Sequence, residues 1–173
     1  IYAEGNCQKT WHFQILCVQN RERCHCKIEG IFRNVTSDET TDERGVRMAF
    51  STVASAVLHG VQAEIIQVET DVSNGLPVFH MVGYLSSEVK EAAERVRTAI
   101  QNCGMQLPPK KIVVNLAPAT MRKRGASYDL PIALSVLAAM GAFSAESLRG
   151  VVVAGELGLG GAVQKISGIL PIV

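Results

Sequence analysis

The sequence predicts an α+β fold in which helices cover one side of a mixed sheet, and three patterns support this class. Residues 64–72 alternate apolar and polar side chains, which is typical of a strand with one buried face. Residues 89–103 place apolar side chains three and four positions apart, which is typical of an amphipathic helix. Residues 112–116 form an apolar run interrupted by one asparagine, as expected of a central strand. Several strands precede the first helix, which favours α+β over a regular βα alternation.

The first half of the predicted fold contains three strands and a helix. Residues 50–58 are predicted as the first strand and residues 64–72 as the second. Asn74-Gly75 predicts a hairpin turn into a returning strand at residues 78–82, because both residues tolerate positive φ. Ser86 or Ser87 is then expected to cap the first helix, with Glu88 in the first turn, and Gly104 to end it.

The second half of the predicted fold follows the central strand. Asp129 and Pro131 lead into an apolar helix over residues 130–140. Residues 151–154 are predicted as another buried strand, and a turn at Gly160-Gly161 is expected to lead into a short strand at residues 162–167. The predicted order is therefore β-β-β-α-β-α-β-β.

Composition is that of an ordinary globular domain. The chain has 173 residues, 47% of them hydrophobic, and a formal net charge of +1, so any preference for nucleic acid must come from a local patch. No apolar run reaches the roughly 18 residues of a membrane span, and we expect no cleavable signal segment, because the first residues lack the charged-then-apolar pattern. We therefore expect a cytoplasmic protein with no membrane partner.

The N-terminal part of the sequence differs from the rest. Residues 1–47 lack periodicity and end in a polar, charged stretch, so they are predicted to be a poorly ordered leader. Met48 is the expected natural start of a domain covering residues 48–173, and the chain is expected to continue beyond Val173.

The cysteines favour thiols over a metal site. The sequence places Cys7, Cys17, Cys24 and Cys26 in the leader. Cys24-His25-Cys26 lacks the two-residue gap of zinc knuckles and ribbons. We therefore expect no metal.

Residues 155–161 contain a glycine-rich turn that superficially resembles a phosphate-binding loop. A P-loop continues with Lys and Ser or Thr, whereas Gly161 and Ala162 stand there. The turn is also followed by a predicted strand, where a P-loop is followed by a helix. The pattern predicts a hairpin turn and no bound nucleotide in this fragment.

Ser127 is the candidate nucleophile. It precedes an apolar helix, where backbone N–H groups can stabilise an oxyanion. A serine nucleophile also needs a base, and His59 and His80 have no visible relation to it. The alternative is an ordinary helix-entry residue, since turns are where serine usually occurs.

A basic cluster is the candidate contact surface for DNA. The sequence contains no acidic residue between Glu94 and Asp129. Mobile lysine and arginine side chains can contact phosphates, and no aromatic residues are interleaved with the basic residues of this cluster to stack bases. We therefore predict duplex or backbone contact, with a solvated surface loop as the alternative. The predicted contacts, of which the last three form a flexible loop, are Lys110, Lys111, Arg122, Lys123 and Arg124.

Several motifs together identify a family. They are Val72-Ser73-Asn74-Gly75-Leu76-Pro77, Met81-Val82-Gly83, Val89-Lys90-Glu91-Ala92, Arg95-Val96-Arg97, Val114-Asn115-Leu116-Ala117-Pro118-Ala119, Tyr128-Asp129-Leu130-Pro131-Ile132-Ala133-Leu134 and Gly155-Glu156-Leu157. From residue 48 to 173 the chain resembles the N-terminal domain of the bacterial Mg-chelatase-like AAA+ ATPases of the YifB/ComM type. Residues 1–47 show no such resemblance.

The resemblance implies both a fold and a larger protein. The fold is ribosomal S5 domain 2-like, shared with the proteolytic domain of Lon and the C-terminal domain of RadA. The implied partner is a C-terminal AAA+ module that binds ATP and Mg²⁺. ComM-like members resemble ring-shaped DNA helicases that promote branch migration during uptake of transforming DNA. The resemblance therefore implies a homo-oligomer and contact with DNA.

The similarity to Lon also bears on catalysis. Alignment with the serine and lysine motifs of Lon puts Ser127 at the nucleophile position and Leu170 where the lysine belongs. Leucine cannot accept a proton, so the resemblance implies a vestigial nucleophile and a non-catalytic domain serving in assembly or DNA engagement. A Ser-Lys peptidase using Ser127 and a pure oligomerisation module remain alternatives.

Overall fold

A computed structural model describes residues 50–59 and 62–166. The predicted leader and its cysteines, Met48 and Leu170 lie outside these residues. The elements are β1 (Phe50–His59), β2 (Gln62–Ser73), β3 (Val78–Val82), α1 (Ser87–Asn102), β4 (Lys111–Ala117), α2 (Asp129–Ala139), a 3-10 turn (Ala145–Leu148), β5 (Glu156–Leu157) and β6 (Val163–Gln164). The α+β class is confirmed.

The main sheet has the strand order β1-β2-β4-β3. β2 is antiparallel to both β1 and β4, whereas β3 and β4 are parallel. The predicted hairpin between β2 and β3 is wrong, because β4 lies between them. Parallel neighbours need a crossover connection, and α1 provides it between β3 and β4.

One face of this sheet carries the core. Val68 is opposite Val53 on β1 and Leu116 on β4, and all three are buried. Alternate residues of β2 such as Gln67 and Asp71 are exposed, as expected where only one face is covered. The residues of α1 that are buried form one stripe: Val89, Ala92, Ala93, Val96, Ala99 and Ile100. Both helices pack on the same face, as predicted.

α2 is buried along its whole length, since every residue from Asp129 to Ala139 is buried. It contacts the sheet on one side and α1, β5 and the 3-10 turn on others. Its one buried hydroxyl is satisfied, because Ser135 Oγ donates to Thr70 Oγ1 at 2.7 Å and lies 3.0 Å from Ser51 Oγ. Burial of this serine therefore leaves no unpaired polar group.

The predicted strand at residues 151–154 is reduced to a single bridge between Val152 and Ala54. The chain leaves the edge of β1 because Gly155 is held elsewhere. Its N–H donates to the Ser127 carbonyl at 2.8 Å, and its own carbonyl accepts from the Leu130 N–H at 3.0 Å. The predicted glycine-rich hairpin is confirmed, since β5 and β6 pair antiparallel across it.

Candidate nucleic-acid interface

The basic tripeptide Arg122-Lys123-Arg124 lies in an extended segment that is tied to the start of α1. The Lys123 N–H donates to the Tyr84 carbonyl at 2.9 Å, and the Lys123 carbonyl accepts from the Ser86 N–H at 3.0 Å. Successive side chains of an extended segment point to opposite sides. This pairing fixes which members of the tripeptide reach solvent.

Lys123 points inward, and the prediction that it is a mobile surface cation is wrong. Its relative exposure is 0%, and its ammonium donates to the Pro118 carbonyl. Burial lowers the pKa of the Lys123 ammonium, because the charged form loses its hydration. Lys123 therefore anchors the segment and has no free face for a phosphate.

Arg122 and Arg124 point outward, and both are exposed. They line a pocket of about 370 Å³ together with Ser86, Ser87, Glu88 and Gly125. The Arg122 guanidinium carbon lies 5.8 Å from the centre of the Tyr84 ring, a distance at which a cation–π contact forms. The structure thus brings two of the predicted contacts together at the N-terminus of α1.

Lys110 and Lys111 form a separate group. Both are exposed, and Lys111 begins β4 whereas Arg122 follows its end. The six steps from Lys111 to Ala117 span roughly 20 Å at the rise of a strand. The predicted contacts therefore form two groups near opposite ends of one strand.

The neighbourhood of Ser127 differs from that of an activated nucleophile. Its carbonyl accepts the Gly155 N–H, so its backbone helps to position the start of α2. Burial raises the pKa of the neighbouring Tyr128 phenol to about 12, and a hydrogen bond with the Ser127 side chain lowers this pKa by less. Lys165 is exposed, and the predicted lysine position, Leu170, lies outside the described residues.

Asp129 forms an ion pair that sequence reasoning missed. Its carboxylate accepts from Arg95 Nε at 2.8 Å and from Arg95 Nη2 at 3.0 Å, and Arg95 Nη2 also donates to the Glu88 carbonyl at 2.9 Å. Glu91, one helical turn before Arg95, lies farther away, with its carboxylate 3.8 Å from Arg95 Nη1. An aspartate at the start of a predominantly apolar helix was the available signal, because a buried carboxylate requires a partner.

Burial raises the pKa of Asp129, and the Arg95 contacts lower it by less. The same contact raises the pKa of Arg95. The pair joins α1 to α2. Because Arg95 Nη2 also donates to the carbonyl of Glu88, which lines the pocket, the pair is linked to the pocket wall through that residue.

The buried phenol of Tyr128 yields a prediction about alkaline stability. Because the folded protein holds this phenol protonated to about pH 12, whereas an unfolded tyrosine titrates near about 10, its contribution is complete below about pH 10 and is lost as pH rises towards 12. We expect wild-type protein to lose up to about 2–3 kcal/mol more than Tyr128→Phe over this range.

Urea unfolding of both proteins at about pH 9 and about pH 11.5 measures this difference. Below about pH 9 the difference in free energy of unfolding between the two proteins should not change with pH, which is the internal control. Equal losses of stability at alkaline pH would show that the phenol is not shielded from solvent.

In residues 50–59 and 62–166, no group of three or more His, Cys, Asp or Glu residues lies close enough to hold a metal ion. No helix in the same part of the chain is long and apolar enough to cross a membrane.

Comparison with known proteins establishes the class. The sequence profile of the family described as Subunit ChlI of Mg-chelatase matches residues 68–173, and the chain therefore belongs to this Mg-chelatase family. The predicted resemblance is confirmed.

Individual relatives show which members of this family the chain resembles. The chain is 45% identical to the uncharacterised protein YifB of Salmonella typhimurium over 123 residues and 46% identical to YifB of Escherichia coli over the same length. It is 41% identical to competence protein ComM of Haemophilus influenzae over 124 residues. These alignments cover 71–72% of this chain and 24% of each relative, so the chain spans about a quarter of their length.

Proposed function

We propose that residues 48–173 form a non-catalytic domain that engages the phosphate backbone of DNA for a larger Mg-chelatase-like protein. The proposal rests on one observation: Arg122 and Arg124 both point outward, from a segment that the buried Lys123 anchors. Guanidinium groups suit phosphate because their planar donors match its oxygens. Lys110 and Lys111 form a second basic group that would contact the same backbone farther along.

The larger protein belongs to this proposal. The relatives are about four times as long as the aligned segment and include one named for competence. We propose that a C-terminal AAA+ module binds ATP and Mg²⁺, that the complete chain forms a homo-oligomeric ring in the cytoplasm, and that it acts in ComM-like fashion on DNA. The mixed sheet with helices on one face supports a ribosomal S5 domain 2-like assignment.

Removal of the two outward arginines tests the DNA contact. We expect Arg122→Ala/Arg124→Ala to weaken binding of the 173-residue chain to a fluorescent duplex at least tenfold at low salt. If each arginine neutralises one phosphate, the slope of log K against log salt should become shallower by about 1.8. Fluorescence anisotropy at several salt concentrations measures both quantities.

A matched double variant controls for net charge. Arg149→Ala/Lys165→Ala removes two exposed cations outside the pocket and should retain most of the affinity. Lys110→Ala/Lys111→Ala tests the second basic group separately. DNA binding that survives loss of all four exposed cations would reject this surface as the interface.

A further inference from the structure

The pocket beside Arg122 and Arg124 lies at the open start of a 16-residue helix, α1. The first helical hydrogen bond runs from the Lys90 N–H to the Ser86 carbonyl at 3.1 Å. The N–H groups of Ser87, Glu88 and Val89 therefore have no partner within the helix, and the helix dipole favours an anion in front of them. Ser86 occupies the N-cap position without making the usual side-chain cap.

The Ser86 side chain gives a second and independent sign of a ligand. Ser86 lines the pocket and is only 6% exposed, and its buried hydroxyl has no hydrogen-bond partner. A buried hydroxyl is normally hydrogen-bonded, because leaving it unpaired costs free energy. An acceptor placed in the pocket would satisfy it.

Glu88 shows which kind of group the pocket favours. The Ser86 hydroxyl lowers the pKa of the Glu88 carboxyl, although no hydrogen bond of normal geometry joins the two. The backbone N–H of Glu88, Arg122 and Arg124 lower this pKa as well. The groups around the pocket thus stabilise negative charge. In this structure the negative charge belongs to Glu88, which itself lines the pocket.

We propose that this pocket binds a phosphate group, held by Arg122, Arg124, the Ser86 hydroxyl and the N–H groups of the first turn of α1. The Glu88 carboxylate is a tethered competitor that the phosphate displaces. Inorganic phosphate carries more negative charge than a carboxylate at neutral pH and offers more acceptor oxygens. A DNA phosphodiester carries one charge, as a carboxylate does, and would compete with the help of the neighbouring phosphates of the duplex. The inference rests on the proposed function where the phosphate belongs to DNA, but binding of free phosphate can be measured without DNA.

Inorganic phosphate is the first probe. In ¹H–¹⁵N spectra of the 173-residue chain, we expect saturable shifts of the Ser87, Glu88 and Gly125 amides. Glu88→Gln should tighten binding about threefold to fivefold, whereas Arg124→Ala should weaken it at least tenfold. Ser86→Ala should also weaken it without unfolding the protein, since this hydroxyl caps no helical N–H.

The matched control for Glu88→Gln is Glu94→Gln, which removes the same charge from an exposed position on the same helix. It should leave phosphate affinity unchanged. The absence of saturable shifts at the three amides, or equal effects of the two glutamine variants, would overturn the proposal.

Measuring duplex DNA binding by the same variants identifies the source of the phosphate. If a DNA phosphodiester occupies the pocket, Glu88→Gln should also tighten duplex binding, and Glu94→Gln should not. Phosphate binding without this effect on DNA would support the pocket and assign it to a free phosphate. DNA binding that depends on Arg122 and Arg124, but without saturable phosphate shifts, would support the proposed function and reject the pocket.

Discussion

Asp129→Ala is expected to lower the free energy of unfolding by about 3–5 kcal/mol, the largest effect of any single substitution considered. The carboxylate is 0% exposed, and it holds the Arg95 guanidinium through two hydrogen bonds. Its removal leaves a cavity and a mostly buried cation whose nearest remaining carboxylate, that of the exposed Glu91, lies 3.8 Å away. Because the Arg95 side chain retains 24% exposure, some hydration is recovered, and we expect the lower end of the range.

Urea unfolding at neutral pH measures this loss. Asp129→Asn should lose less, because it keeps the shape and one acceptor for Arg95. The control is Arg149→Ala, which breaks the exposed pair with Glu146 and should change stability by less than about 1 kcal/mol. If Asp129→Ala were no more harmful than this control, the buried pair would not be what joins the two helices.

Gly161→Ala is expected to destabilise the protein by about 2–4 kcal/mol. Gly161 has a φ of +79°, which favours glycine, and a methyl group at this position would overlap the Sγ of Cys103, the residue that follows α1. The β5–β6 hairpin contacts the end of α1 here, where Asn102 Nδ2 also donates to the Leu159 carbonyl at 2.9 Å. Added volume would have to push the hairpin away from the helix.

Gly104→Ala separates backbone strain from this overlap. Gly104 has a nearly equal φ of +80°, but nothing lies within 4 Å of the position its Cβ would take. Its replacement should cost about 1 kcal/mol. Thermal unfolding of both variants, and of Gly161→Ala combined with Cys103→Ala, measures the difference. Failure of the smaller residue at position 103 to restore stability would contradict the overlap as the cause.

The sequence predicts the positions of most helices and strands, but not which strands lie next to each other. The alternating pattern in β2 and the apolar stripe in α1 reflect side-chain burial, which leaves a periodic pattern in the local sequence. Both elements were therefore predicted. Asn74-Gly75 has the composition of a hairpin turn, but β3 gains more by pairing with β4 after the α1 crossover. Residues 151–154 are apolar enough for a strand, but the hydrogen bonds of Gly155 draw the chain away from β1.

The candidate site shows the same division. Composition identified the basic cluster around residue 123 but could not assign directions to three adjacent cations. The direction depends on the hydrogen bonds of Lys123 with Tyr84 and Ser86, residues that are almost forty positions away in the chain. The sequence predicts Ser86 or Ser87 as the helix cap, and only the structure shows that the Ser86 hydroxyl is unpaired and that Ser86 lines a pocket.

By itself, the sequence determined the α+β class, the two helices, the family and the region in which function should be sought, because burial patterns and short motifs are local properties of the chain. The tertiary structure decided that β4 separates β2 from β3, that Asp129 pairs with Arg95, and that Lys123 is an anchor while its two neighbours face solvent. Each of these depends on contacts between segments far apart in sequence, whose partners are chosen only when the whole core is packed.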